Sequence, residues 1–412
     1  MALAGGLSLS ALYLLGLLVA ARAARRAHPE LAGTDAWPAT DDLRACLRLV
    51  VLVPAHDEEH GIEAALRALA ACDYPREAVR IVVIADNCTD RTAAVARGLG
   101  VEVWERCDPD HRGKGFALAW ALRRVKAEAA DAEAARGTEL DGVVVLDADC
   151  VPSPNLLAAV DRRLRVGASA LQVNYVAANP DDSHIAALRF GAFALMNTVR
   201  FAGKQRLGLS CGLVGTGMAF TRELLEREPW STTGLVEDGE YHMRLVQRGE
   251  RAEFVPEAWV SSAVPTTARA GADQQARWEQ GKLQLVRRWS LKLIAAGVLR
   301  RDVVRLHAGL ENLVPPQSLI AAGSTASALA GALLGSRRLI ALSAATLAAQ
   351  ISFVLAGLWF VRAPLAVYRA LLCAPALIAT KVALYVRLLR GRGPTTWVRT
   401  EREQRTALEV SR

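Results

Sequence analysis

This chain lacks the spacing that disulfides or zinc would need. Its seven cysteines, at positions 46, 72, 88, 107, 150, 211 and 373, are odd in number and scattered, with no C-x-x-C pair. That excludes a disulfide framework and a thiolate zinc site, and reads as reduced thiols. The seven histidines show no metal spacing either. His56, His111 and His184 stand alone, and His242 and His307 fall in helix-like segments, so they read as structural. No G-x-x-x-x-G-K-[ST] loop occurs, which removes the P-loop nucleotide hydrolases. The net charge of +8 is carried mainly by arginine, yet no basic module interleaved with aromatics appears, so no nucleic-acid partner is expected. Arginines beside apolar runs suit anionic lipid headgroups instead. No internal repeat is visible.

Apolar sequence, in contrast, is in excess at both ends. Hydrophobic residues make up 52% and mean hydropathy is +0.18, more than a soluble α/β protein needs, which implies a soluble body between membrane segments. Residues 3–21 carry no charge and are followed by Arg22, Arg25 and Arg26. A cleaved signal peptide places its charges first, so this reads as a membrane anchor with a cytoplasmic C-terminal end, a buried core helix being the competing reading. Residues 283–299 suit a helix in the membrane interface. Residues 313–334 and 339–361 read as two spans joined by a Gly-Ser-Arg-Arg turn. Residues 365–389 contain Arg369, Pro375, Lys381 and Arg387 and read as interfacial or re-entrant, giving three spans, with four as the alternative. The arginine-rich end is expected in the cytoplasm.

Between the apolar ends, residues 49–53, 80–85, 101–104 and 143–146 read as strands, and 62–71, 89–98 and 116–135 as helices. This alternation predicts an α/β fold with a parallel sheet covered on both faces. Beyond Asp149 it fades into an amphipathic helix at 183–201 and a glycine-rich stretch at 208–217.

Short polar motifs punctuate this region. Asp147 and Asp149 follow an apolar strand, where open α/β sheets bind ligands, and can hold a divalent cation against a diphosphate. Asp86-Asn87-Cys88-Thr89 reads either as a ligand loop or as a helix cap. Arg112-Gly113-Lys114-Gly115 opens a helix where backbone and Lys114 can meet an anion. Glu237-Asp238 opens another. Gln274, Arg277 and Trp278 share one helix face, offering a planar fork for a diphosphate and an indole for a sugar ring. Residues 211–218, with Gly212, Gly215 and Gly217, are equally a site floor or a tight turn.

Taken in order, these motifs resemble the membrane-integrated branch of the family 2 inverting glycosyltransferases, with cellulose, chitin and hyaluronan synthases and ceramide glucosyltransferase. The resemblance covers roughly residues 49–289 plus the flanking apolar segments. The usual Pro-x-Tyr-Asn-Glu opening is Pro54-Ala55-His56-Asp57-Glu58 here, and Thr-Glu-Asp is Val236-Glu237-Asp238.

The resemblance implies an α/β GT-A fold, Rossmann-like with a mostly parallel sheet, as a cytoplasmic domain flanked by transmembrane and interfacial helices. The implied organisation is an anchor at 1–26, a linker at 27–48, the GT-A domain at 49–279 and interfacial helices at 280–312. A transmembrane hairpin at 313–362, an interfacial, re-entrant or additional membrane helix at 363–389 and a basic cytoplasmic tail at 390–412 follow. It also implies residue roles. Pro54, Ala55, Asp57 and Glu58 cradle the nucleoside, and Asp86 accepts from uracil N3–H. Lys114, Asp147 and Arg277 hold the nucleotide-sugar, and Asp149 with Asp147 binds Mg2+ or Mn2+. Asp238, beside Glu237, is the general base, and Gly215, Gly217, Gln274 and Trp278 face the acceptor. The function so implied is metal-dependent, inverting transfer of a hexose from a nucleotide-sugar, first of all a UDP-sugar. The acceptor is lipid-linked or a polysaccharide, at a bacterial-type inner membrane, alone or within a polysaccharide-synthesis complex. A non-catalytic membrane partner of the same fold is the competing reading.

Overall fold

The computed structural model describes residues 1–27, 46–134 and 140–393. Most of the expected linker at 27–48 and of the basic tail at 390–412 lies outside the described residues. The chain starts with helix α1 (Ala2–Ala27) and enters the sheet at β1 (Leu49–Ala55), whose Leu-Val-Val-Leu-Val run is wholly buried. Val51 and Val53 face one core with Ile62, Leu66 and Leu69 of α2 (Ile62–Ala70). β2 (Val79–Asp86), α3 (Thr92–Gly98), β3 (Glu102–Arg106), α4 (Lys114–Ala134) and β4 (Gly142–Val145) follow. Val50 and Leu52 of β1 face the second core, with Ala117, Leu118 and Ala121 of α4. Burial on both faces is what a parallel strand between helical layers requires.

β2 and β4 flank β1 in parallel register, Val53 opposite Val83 and Leu52 opposite Val145. The chain winds outward from β1 through β2 to β3, then returns to β4 on the opposite side. That reversal opens a crevice at the carboxyl ends of β1 and β4.

Sheet formation does not stop where the sequence pattern fades. β5 (Val151–Pro152), α5 (Leu156–Arg165), β6 (Ala170–Ala177), α6 (His184–Phe193) and α7 (Arg200–Arg206) come next. β7 (Met218–Thr221), α8 (Arg222–Arg227), α9 (Glu237–Arg248) and β8 (Ala252–Ser262) complete the sheet, in the order β3-β2-β1-β4-β7-β6-β8-β5. β7 runs antiparallel to β4 and β6, whereas β6 and β8 are parallel. The later strands escape an apolar reading because polar residues interrupt them. Gln172 of β6 is fully buried, donating to Thr216 O at 2.8 Å and accepting from Val214 N at 2.9 Å.

α6, a π-helical turn at Ala194–Val199 and α7 form one long helical stretch beside β6 and β8. Ser183 at its start donates to Thr266 O at 2.7 Å, and Gln205 near its end accepts from Phe254 N at 3.0 Å. The C-terminal part consists of α10 (Ala272–Leu285), α11 (Leu291–Arg300), α12 (Val303–Leu313), α13 (Gln317–Leu333), α14 (Arg337–Phe360), α15 (Leu365–Ala370) and α16 (Ala374–Leu389).

Among the described residues four helical stretches are long and apolar enough to cross a membrane: Ala2–Arg25, His184–Arg206, Arg337–Phe360 and Leu365–Leu389. α13, where the sequence reading places a span, has 17 residues, a length of about 26 Å. Leu7, Leu14 and Leu18 of α1 pack with Ile320 of α13 and Phe353 of α14. Where α1 meets α7, a Cβ on Gly203 would stand 2.3 Å from Leu17 O, so only glycine allows the approach. Beside it Glu311 of α12 accepts from Arg200 at 2.6 Å and from Lys204 at 2.9 Å.

Candidate active site

The loop after β1 and the loop after β2 meet at one end of the crevice. Asp57, at a positive φ of 54°, accepts from Thr89 N at 2.6 Å and from Asp90 N at 3.3 Å. Asp90 in turn accepts from Thr92 N at 2.8 Å, and Glu58 N donates to Thr92 Oγ1 at 2.7 Å. These carboxylates shape the two loops around each other, and Ala55 lies opposite Ala85, one residue before Asp86. Asp86 is nearly sealed, and its Oδ1 accepts from Arg106 Nη1 at 2.6 Å and from Asn87 Nδ2 at 3.0 Å. Arg106 also donates to His111 O and Asp108. Sequence reasoning missed Arg106. It sits at the end of a strand and meets Asp86 only because β3 pairs with β2 in that register.

Asp147 emerges from β4 at the centre. Its backbone N–H donates to Thr216 Oγ1 at 3.1 Å, and its carboxylate is paired with Lys114 at the first turn of α4. Lys114 also donates to Gly215 O at 2.7 Å. Gly215, held at a positive φ of 90°, leaves open the space beside Asp238: a Cβ there would lie 3.2 Å from Asp238 Oδ2 and 3.4 Å from Lys114 Nζ. The missing side chain of Gly217 faces the other way, 2.3 Å from Val173 Cγ2, so its geometry is one of packing. Buried Gln172 ties the loop that carries Gly215 to the sheet, a role invisible in the sequence.

Glu237 and Asp238 form the first turn of α9, and Asp238 accepts from Gly239 N at 2.7 Å. The approach of α4 to this turn is close: a Cβ on Gly115 would stand 2.6 Å from Thr232 O and 3.1 Å from Glu237 Cβ. Burial pushes both acids above their ordinary range, Glu237 further raised by Asp238, with Lys114 opposing the shift in each. Burial alone would depress Lys114, but Asp147 and Glu237 outweigh it and hold the ammonium charged. Burial lowers Arg277 on α10, against the attraction of Glu237, Asp238 and Asp147. Trp278 on the same helix is partly exposed, its ring 6.2 Å from Phe193, which lies 5.2 Å from Tyr175. This aromatic row, joining α10 to α6 and β6, also went unseen in the sequence.

The carboxylates suit a divalent cation. Asp147, Asp149 and Cys150 bring one ligand atom each within 4.8 Å of one another. Hard cations prefer oxygen, which selects Asp147 and Asp149. Burial, with Asp149 and Asp147 beside it, pushes the Cys150 thiol well above its ordinary range, so it stays neutral. Asp57, Cys88 and Asp90 form a similar group, but both carboxylates there accept from loop backbone.

Comparison with known proteins agrees with this geometry. The family described as glycosyltransferase like family 2 matches residues 8–281, well over half of the chain. The Bacillus subtilis protein "Probable glycosyltransferase YdaM" is 25% identical over 60% of this chain and 58% of its own. The beta-monoglucosyldiacylglycerol synthase of Synechocystis is 29% identical over 69% of this chain and 55% of its own. The chain thus spans about half to three-fifths of the length of the curated relatives it matches. Among solved structures, a mannosyltransferase from Pyrobaculum calidifontis, in complex with GDP-Man and Mn2+, is 23% identical with a TM-score of 0.50. That match covers 86% of this chain and 99% of the other, a likeness of fold. With the family matched across β1 to α10 and the acidic centre assembled from the same segments, the chain belongs to the family 2 glycosyltransferases, with a GT-A-type α/β fold.

Proposed function

We propose that this glycosyltransferase is membrane-integrated. In this reading it takes a nucleotide-sugar from the cytoplasm and transfers the sugar, with inversion, to a lipid-linked or polysaccharide acceptor at the inner membrane surface. The observation that carries the reading is the enclosed Glu237–Asp238 turn, with Gly215 leaving room beside Asp238 and with Lys114 and Arg277 facing it. The acceptor hydroxyl enters that space and gives its proton to Asp238. Its oxygen bonds to the anomeric carbon as the bond to the diphosphate oxygen breaks on the opposite face. Lys114 and Arg277 stand where the departing diphosphate gathers charge. Asp147 and Asp149 would hold Mg2+ or Mn2+, which supplies charge neutralisation on the diphosphate. Trp278, backed by Phe193, offers a face to a sugar ring. The Pro54–Glu58 loop and Asp86 hold the nucleoside.

Similarity to a glycolipid synthase supports a lipid acceptor, and the GDP-Man complex makes GDP-mannose a donor to test beside UDP-sugars. The test is a panel of sugar-nucleotides offered to purified protein with and without membrane lipid, read by nucleoside-diphosphate release. One donor turned over only in the presence of lipid or added glycan is expected. Turnover of none, under conditions where the protein binds UDP or GDP, sinks the reading.

A further inference from the structure

Glu279 lies one residue beyond the Arg277-Trp278 pair. Its carboxylate is ion-paired with Lys381 and accepts from the Tyr385 hydroxyl, both on α16. Each side chain of the ion pair is only 12% exposed, so water is a poor substitute partner for either charge. Lys381 and Tyr385 are four residues apart and therefore share a helix face, and both meet one carboxylate of α10. The contact continues along the chain: a Cβ on Gly393 would lie 2.6 Å from Gln280 Oε1.

The opposite flank of α10 presses on the catalytic turn. A Cβ on Gly281 would stand 2.4 Å from Val236 Cγ1, and one on Gly239 would stand 2.9 Å from Leu285 Cδ1. Val236 and Gly239 bracket Glu237 and Asp238. α10 is thus held by α16 on one side and sets the base-bearing turn on the other.

We propose that Glu279 is a positioning residue: the Lys381–Glu279–Tyr385 clasp uses the C-terminal helical segment to hold α10, and with it Arg277, Trp278 and the Glu237–Asp238 turn, in register for transfer. The proposal rests on the glycosyl-transfer reading above. A buried ion pair is held only while both charges are present. Glutamine at 279 leaves Lys381 buried without a counter-charge, and the helix pair separates. The nucleoside is held by the loops after β1 and β2, outside α10, so release of α10 weakens donor binding only through Arg277, while geometry at the reacting centre is lost.

The test compares wild type with Glu279→Gln, Lys381→Met and the charge-exchanged Glu279→Lys/Lys381→Glu, all as full-length protein in lipid nanodiscs. UDP and GDP binding first establishes that each variant is folded. The single variants should lose about tenfold to a hundredfold in kcat, the scale of a displacement near 1 Å at a reacting group, with a smaller rise in donor KM from the displaced Arg277. The exchange should restore most of the rate. Single variants with wild-type kcat overturn the proposal, as does loss in both singles without recovery in the exchange. Hydrogen exchange of amides 272–285 supplies a readout that needs no turnover. Faster exchange there in the single variants, reversed in the charge-exchanged protein, upholds the clasp even if no sugar-nucleotide is turned over, and unchanged exchange overturns it.

Discussion

Asp238 is the residue to which the proposed mechanism gives the proton transfer, and its environment gives two separable expectations. Asparagine at 238 keeps the shape and the bond from Gly239 N but accepts no proton from the acceptor. Turnover should fall about a thousandfold, within the usual range for a general base, while donor affinity measured by titration stays nearly unchanged. Parallel loss of binding would remove the base assignment. The pH profile follows from burial, which lifts the Glu237–Asp238 pair, Glu237 to about 7. A base works when deprotonated, so kcat/KM should rise with pH through an acid limb lying above the ordinary aspartate range. A limb near pH 4 would show that the pair is solvated in the working enzyme. At the cation site, Asp149→Ala should abolish both activity and its metal requirement, and full wild-type activity after exhaustive EDTA treatment would break the assignment. Asp147, Asp149, Glu237 and Asp238 could be proposed from sequence because acidic residues at a strand end or helix start leave a local mark, which the family resemblance then turns into roles. Arg106 on Asp86 and Gln172 beneath Gly215 could not, because both contacts arise from strand register between distant segments.

Helices and strands differ in how much of their placement local sequence reveals. β1, β4 and residues 82–85 of β2 are apolar runs buried on both faces, and such runs announce themselves. β7 reads Met-Ala-Phe-Thr, without the Val/Ile run of the earlier strands, and β6 carries Gln172 and Asn174, so composition alone could not find them. Packing between elements is hidden for another reason: its determinants are single small or charged residues whose partners lie far off in the chain. Glu311 shows this on α12. Burial would raise its carboxyl, but Lys204 and Arg200 hold it far below the usual range. Glutamine there leaves two enclosed cations sharing no counter-charge, a loss of about 3–5 kcal/mol in stability. Thermal unfolding in detergent should report it as a markedly lowered Tm. An unchanged Tm would mean that α1, α7 and α12 are held by apolar packing alone. The sign of its pH dependence is fixed too. A depressed folded-state carboxyl contributes stability above its unfolded pKa, and that contribution fades as pH falls towards the folded value.

At the scale of the whole molecule, hydropathy and contacts disagree about which helical stretches could cross a membrane. His184–Arg206 is apolar enough, yet Ser183 and Gln205 tie its two ends to the chain just beyond β8 and to β8 itself, so it lies along the sheet. Hydropathy reads length and composition and cannot see such partners. The same reasoning applies to Leu365–Leu389. Arg22 stands over the Trp359 ring at 5.2 Å, and Arg25 donates to Phe360 O, so α14 ends beside the charged end of α1. α15 then packs on α6 through Val367 and Ala370, and α16 closes on Glu279 of α10. In the proposed membrane-integrated reading, a segment that begins against one element of the catalytic domain and ends against another returns to the side it left. We therefore expect residue 392 on the catalytic-domain face and the turn between α13 and α14 on the opposite one. In a background without native cysteines, Ser336→Cys should react with an impermeant maleimide added to intact cells. Arg392→Cys should react only after permeabilisation, because arginines clustered beside an apolar segment favour the cytoplasmic side. Ready labelling at 392 in intact cells would place that end outside and turn residues 365–389 into a true crossing.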